Sequence, residues 1–339
     1  MRFGFVVVLT VWAGLVLAGD VVGSANHLET GKSPEATDYR AEMIEFVKKI
    51  AAHARAVSPG FGVFPQNAAE LGTDEAYIAT VSGIGQEDTY YGYNRDGKPT
   101  PAAITNQIET NLDRFAAAGK LVLTVDYPFK NKNKPKFDST AKRAIDLIYE
   151  RASARGYVPY TTVRNLNYLV INPGHAPKPN AAPITTWSQV HEFMYQLQHA
   201  KGQNRQKFLS DLAASGFDLI VMDYSYDGSD SGKFRPEEIA ALKSTLNGKV
   251  ISYMSIGEAE TYRWYWQKQW DADHDGRPDP GAPSWLDKEN PHWKGNYKVR
   301  YWEAGWQDII FDYLDTIIAQ GFDGVYLDIV DAYEYYQGK

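Results

Sequence analysis

From residue 38 onward the chain switches repeatedly between two hydrophobic rhythms. Met43, Ile44, Phe46, Val47 and Ile50 recur at helical spacing behind Asp38, and that pattern stops at Ser58-Pro59-Gly60. Short β-rich runs follow at 61–66, 78–85, 121–127, 157–163, 192–197, 219–224, 250–256 and 325–330. Amphipathic segments at 104–118, 139–155, 204–215, 236–246 and 306–320 separate most of them. Strands that alternate with helices form a parallel sheet covered by helices, and eight such units predict an α/β fold of the (β/α)8 TIM-barrel type. A doubly wound open sheet is the structural alternative.

Two places break the alternation. Residues 172–183 hold four prolines and no helical period, so an irregular linker over 170–186 joins the fourth and fifth strands. The chain also opens on a helix and ends just after a strand. A helix at the start that covers the gap beyond the last strand would close the ring and bring Asp38 close to Tyr336.

Ahead of the barrel, Arg2 precedes an apolar run over residues 3–17 and then small residues. This is a signal-peptide layout, predicted over 1–25, with a polar disordered leader at 26–37 and a single barrel domain at 38–339. The export expected from it is to the periplasm or beyond, with no stable membrane anchor after cleavage. With no cysteine in 339 residues, an exported chain must be held by burial alone. A net charge of −7 without a Lys/Arg-rich run excludes the electrostatic footprint of a nucleic-acid binder. Nine Trp and 23 Tyr exceed what a core of this size needs, and such rings stack on sugar faces.

In a barrel of this kind chemistry sits at the C-terminal ends of the strands. Those ends are acidic: Glu87 and Asp88, Asp126, Asp223, Glu258 and Glu260, Asp328 and Asp331. Arg164 ends the fourth strand and can hold one of these groups ionised. Paired carboxyls, one protonated and one ionised, suit cleavage of an acetal, whereas each acid taken alone reads equally well as a helix cap or half of an ion pair. The seven histidines form no metal-ligand pair, and no phosphate loop, dinucleotide fingerprint or GxSxG elbow occurs. Asp271, Asp273, Asp275 and Asp279, with Gly276 at the sixth position, follow a calcium-loop pattern, but Ala282 stands at the twelfth. That loop is a candidate structural Ca2+ site, with a solvated acidic turn as the alternative. Catalysis itself is expected to need no cofactor.

The segments FGVFPQN (61–67), GIGQED (83–88), VDY (125–127), MDYS (222–225), SYMSIGEAE (252–260), WLDKENP (285–291) and GFDGVYLDIVDAY (321–333) resemble bacterial relatives of the endo-α-1,4-polygalactosaminidases, glycoside hydrolase family 114. The resemblance extends over nearly all of the chain after the leader, with the two halves in exchanged order, as a circular permutation would produce. It implies catalysis by Glu87 as general acid/base and Asp328 as nucleophile or oxocarbenium stabiliser, with Asp331 the rival for the second role. It further implies sugar contacts from Asp126, Tyr127, Arg164, Asp223, Tyr253, Glu258, Tyr326 and Asp331. The expected activity is endo-cleavage of a galactosamine-containing or related amino-sugar polysaccharide. The alternative is a barrel that binds carbohydrate without cutting it.

Overall fold

The computed structural model describes residues 37–338, so the expected signal peptide and residues 26–36 of the leader lie outside the described residues. Helix α1 (Tyr39–Val57) begins where the Asp38 carboxylate accepts the Ala41 amide at 3.0 Å. Strand β1 (Gly62–Pro65), helix α2 (Glu75–Thr80), strand β2 (Gly83–Glu87), helix α3 (Ala102–Ala117), strand β3 (Leu121–Asp126), helix α4 (Ser139–Ala154) and strand β4 (Val158–Thr161) complete the first half. In the second half come β5 (Phe193–Tyr195), α5 (Arg205–Ala213), β6 (Leu219–Met222), α6 (Pro236–Leu246), β7 (Lys249–Ser255), β8 (Glu258–Glu260), β9 (Leu286–Glu289), β10 (Asn296–Val299), α7 (Ala304–Ala319), β11 (Gly324–Asp328) and α8 (Ala332–Gln337).

Eight of these strands run parallel in barrel order, β5-β6-β7-β11-β1-β2-β3-β4. Full ladders join β5 through β1 and β2 through β4. At β1/β2 the junction narrows to the Ser82 amide on Val63 O at 2.9 Å and the Asn67 amide on Gly85 O at 2.8 Å. Between β4 and β5 no ladder forms among the described residues. Tyr160 packs on Phe193 there with ring centroids 5.8 Å apart, and the Leu197 and Gln198 amides reach Leu166 O. The seam falls where the proline-rich linker replaces a helix, since prolines supply no amide donors.

Three elements depart from the sequence pattern. The run 78–85 is not one strand, because Asp74 accepts the Tyr77 amide at 2.9 Å and so caps α2, leaving the strand to begin at Gly83. The chain ends in a short helix, α8, rather than just after a strand. Strands β8, β10 and β9 form a separate antiparallel sheet beyond the end of β7, which short polar runs did not betray. The expected meeting of the chain's two ends holds: Tyr39 lies 5.5 Å from the Tyr336 ring, and the Tyr301 hydroxyl donates to Tyr39 O.

One hydrophobic core runs through the whole ring. Its centre depends on β2, whose inward positions are glycines. A Cβ on Gly83 would meet Leu121 O at 2.2 Å and Phe64 Cε1 at 2.6 Å, and one on Gly85 would overlap the Tyr326 hydroxyl. Rings from β1 and β11 thus fill the space that β2 leaves. Gly83→Ala is expected to lower unfolding free energy by roughly 2 kcal/mol or more through overpacking, measured by urea denaturation. An unchanged midpoint would mean that β2 does not lie so close to its neighbours.

Candidate active site

Glu87 and Asp328 both point into the barrel from the last residues of β2 and β11, with β1 between those strands. Only 6% of Glu87 and 5% of Asp328 remains exposed. Gln66 Nε2 donates to Glu87 Oε2 at 2.7 Å, and the Tyr127 hydroxyl donates to Oε1. The Tyr253 hydroxyl donates to Asp328 Oδ2 at 2.8 Å, and the Ile329 amide to Oδ1 at 2.8 Å. Tyr195 completes the lining, its hydroxyl donating to Gln66 Oε1 at 3.0 Å.

Burial raises the Glu87 carboxyl to about 7, a shift that the Arg164 charge opposes and the neighbouring Asp88 reinforces. Asp328 is likewise pushed well above the usual carboxylate range by burial, and next by the Glu87 charge. The two therefore act as a coupled pair that favours holding a proton between them.

Backbone strain collects at the same strand ends. Asn67 and Ala68 follow Gln66 with φ of 61° and 49°, Asp88 follows Glu87 with φ 57°, and Ile329 follows Asp328 with φ 58°. Left-handed backbone at a β-branched residue such as Ile329 costs on the order of 1–3 kcal/mol, and it turns the chain sharply away just after each side chain that faces the pair.

The other acids divide into closed and open groups. Arg263, wholly buried, grips Asp223 through two bonds of 2.9 and 2.7 Å and Glu260 at 2.6 Å, so neither acid is free for a sugar. Asp126 accepts the Tyr90 and Tyr91 amides at 2.6 and 2.7 Å and so fixes the loop after β2; burial raises it to about 8. Arg164 makes a two-pronged bond to Asp88 and another of 2.9 Å to Asp96, with its guanidinium 3.6 Å above the Tyr127 ring. It thereby braces the tyrosine that holds Glu87. Glu258 pairs with Lys298 at 2.6 Å and accepts from Asn290 at 2.7 Å. Asp331 neighbours that group, and burial moves its carboxyl to about 6.

Of the residues picked out by sequence, Glu87, Asp328, Tyr127, Tyr253 and Tyr326 come together in one slot, with Arg164 behind it; Asp126 and Asp223 are tied up elsewhere. Gln66, Tyr195 and Arg263 were missed. Gln66 lies in the FPQN segment, but its hydrogen bond to Glu87, 21 residues on at the end of the next strand, leaves no local signal. In the acidic loop the carboxylates of Asp271, Asp273 and Asp275 converge within 4.8 Å and could hold a metal ion. Asp279 is turned instead to the Ala272 amide at 2.7 Å.

Residues 174–339 match the model of glycoside-hydrolase family GH114. This half of the chain belongs to GH114. An uncharacterized protein of Methanocaldococcus jannaschii is 50% identical over 143 residues, covering 42% of this chain and 36% of that protein. Among solved structures, Aspergillus fumigatus Ega3 in complex with galactosamine is 26% identical over 36% of this chain and 40% of its own, with a TM-score of 0.27. The glycoside hydrolase domain of PelA from Pseudomonas aeruginosa is 17% identical over 42% of this chain and 45% of its own, with a TM-score of 0.26. The chain thus spans well under two thirds of each. The GH114 match includes Asp328 but stops short of Glu87, so only the fold joins the two carboxyls.

Two outcomes follow from this geometry. Arg263→Met should cost roughly 3–5 kcal/mol in chemical denaturation, because it leaves Asp223 and Glu260 buried without a counter-charge. Glu87 titrates near 7 when folded and at about 4.5 when unfolded, so its protonated form stabilises the fold below 4.5 and that contribution is lost as pH rises through 7. Glu87→Gln should therefore flatten the fall in stability between pH 4.5 and 7. A fall as steep as in the wild type would place the titration elsewhere.

Proposed function

We propose that this protein is an exported glycoside hydrolase that cleaves an amino-sugar polysaccharide internally, at galactosamine or a related residue. The observation that carries the reading is the buried carboxyl pair at the barrel mouth, each member held by its own tyrosine donor. A carboxyl that titrates near 7 still holds its proton at a working pH where an ordinary glutamate has lost it, which is what protonating a leaving oxygen requires.

In the proposed cycle the Glu87 proton passes to the glycosidic oxygen as the C1–O bond breaks, and the electron pair leaves with that oxygen. Asp328 attacks C1 or faces the oxocarbenium ion. Glu87, now ionised, takes a proton from a water whose oxygen bonds to C1, and where Asp328 had bonded to C1 that bond breaks and its electron pair returns to the carboxylate. Asp331, Glu258 and Lys298 beside the slot are the sugar-binding groups in this reading, while Asp126, Asp223 and Arg164 act through the scaffold. Membership of the 174–339 half in GH114 supports the substrate class, and a galactosamine ligand is named for Ega3. No helix among the described residues is long and apolar enough to cross a membrane, and export rests on the N-terminal sequence pattern. We also infer a circular permutation, supported by a family match that begins inside the linker between β4 and β5.

The deciding experiment incubates partly deacetylated α-1,4-linked galactosamine polymer with the wild type and with Glu87→Gln, and follows products by mass spectrometry. Oligosaccharides from the wild type, a bell-shaped pH profile, and loss of about two orders of magnitude or more in the variant are expected. Glycan binding by both proteins without product would identify a carbohydrate-binding barrel instead.

A further inference from the structure

Four tyrosine hydroxyls lie around the carboxyl pair, and three of them are engaged: Tyr127 with Glu87, Tyr253 with Asp328, and Tyr195 with Gln66. The fourth, Tyr326, has no hydrogen-bond partner among the described residues although its oxygen is fully buried. It sits on β11 two residues before Asp328, and its hydroxyl lies against Gly85, two residues before Glu87 on β2. Inward side chains two apart on a strand occupy successive barrel layers, so this hydroxyl forms the floor beneath both carboxyls.

Packing does not account for it. A buried hydroxyl that bonds to nothing is disfavoured by about 1–3 kcal/mol, and a phenylalanine ring would fill the same space without that cost. Gly85 leaves the space that the hydroxyl occupies, which any side chain at that position would fill. Both Glu87 and Asp328 act electrostatically on the phenol.

We propose that Tyr326 is a positioning residue whose free hydroxyl donates to whichever member of the Glu87–Asp328 pair carries the negative charge. This rests on the hydrolase reading for the order of events. In that reading the substrate finds the pair's single proton on Glu87 and the charge on Asp328, the reverse of the resting pair, in which the Glu87 charge helps to hold the proton on Asp328. After Glu87 has released its proton to the leaving oxygen, the charge lies on Glu87. The Tyr326 O–H bond stays intact throughout; a small shift of the ring or of the charged carboxyl closes the hydrogen bond, so no proton is added to or lost from the balance of the reaction. The engaged donors cannot follow the charge in this way, because Tyr127 and Tyr253 each face one carboxyl.

The test compares wild type, Tyr326→Phe, and protein carrying 3-fluorotyrosine at position 326. Carboxyl titrations are followed by NMR of 13C-labelled Glu and Asp side chains, assigned with Glu87→Gln and Asp328→Asn. A donor to the ionised form lowers its pKa, so Tyr326→Phe should raise the titration midpoint of the pair, whereas the more acidic fluorinated phenol should lower it. With substrate, Tyr326→Phe should reduce kcat by about tenfold or more, leave KM within about twofold, and move the acidic limb of the pH profile upward. Its thermal midpoint should match or exceed the wild type. Midpoints that coincide in all three proteins, or that move in the same direction for both replacements, would overturn the proposal. If the wild type cleaves no substrate while the midpoints move in opposite directions, the hydroxyl's role stands and the hydrolase reading fails.

Discussion

Two carboxyl groups that share one buried slot cannot both ionise without a large penalty, and much of the surrounding structure answers that constraint. Four polar partners, Gln66, Tyr127, Tyr253 and the Ile329 amide, saturate the carboxyl oxygens with donors. Among the described residues no cation touches either group directly; Arg164 acts on Glu87 from behind the Tyr127 ring. A direct ion pair would hold a carboxyl ionised, and a slot without donors would leave it permanently neutral. Neutral hydroxyl and amide donors keep both protonation states within reach, which acid/base chemistry needs.

The acids outside the slot meet the opposite fate. Asp223 and Glu260 are locked by Arg263, and Asp88 and Asp96 by Arg164. Each arginine also lies against rings: Arg164 carries the face of Tyr127, which lines the slot, and Arg263 lies within reach of Tyr224, Tyr262 and Tyr313. Arginine suits both places because its fork engages two acids at once while its plane lies on a ring. Strand-end acidity in this barrel therefore has two physical meanings, and only the donor set around each group separates them.

That distinction explains how much could be read before the structure. The eight barrel strands follow from hydrophobic periodicity, since burial on both faces of a parallel sheet leaves an apolar run in the chain. Glu87 and Asp328 are legible because they end such runs. Asp126 and Asp223 end runs in the same way, and nothing local distinguishes them; their partners, the Tyr90 and Tyr91 amides and Arg263, lie 35 to 40 residues away. Helix α2 was hidden because the cap at Asp74 outweighs the β-branched residues that follow it. The sheet of β8, β9 and β10 was hidden because β8 is three residues long with two buried acids, and β9 and β10 are only partly buried.

The glycines of β2 join these levels. In sequence, Gly83-Ile84-Gly85 lacks the third glycine of a dinucleotide fingerprint and reads only as a strand end. In the fold, their missing side chains admit Phe64 from one neighbouring element and Tyr326 from another, so that the barrel is filled by rings instead of by β2 itself. The Tyr326 ring could not reach beneath Glu87 if β2 carried any side chain at 85. The half of the chain that belongs to GH114 supplies Asp328 and Tyr326, whereas Glu87, Gly85, Gln66 and Tyr127 come from the other half. Each half supplies the donors of its own carboxyl, Gln66 and Tyr127 for Glu87 and Tyr253 and the Ile329 amide for Asp328, and the parallel ladder between β1 and β11 brings the two carboxyls together. The paired site is for this reason a product of how the two halves pack, and neither half contains it alone.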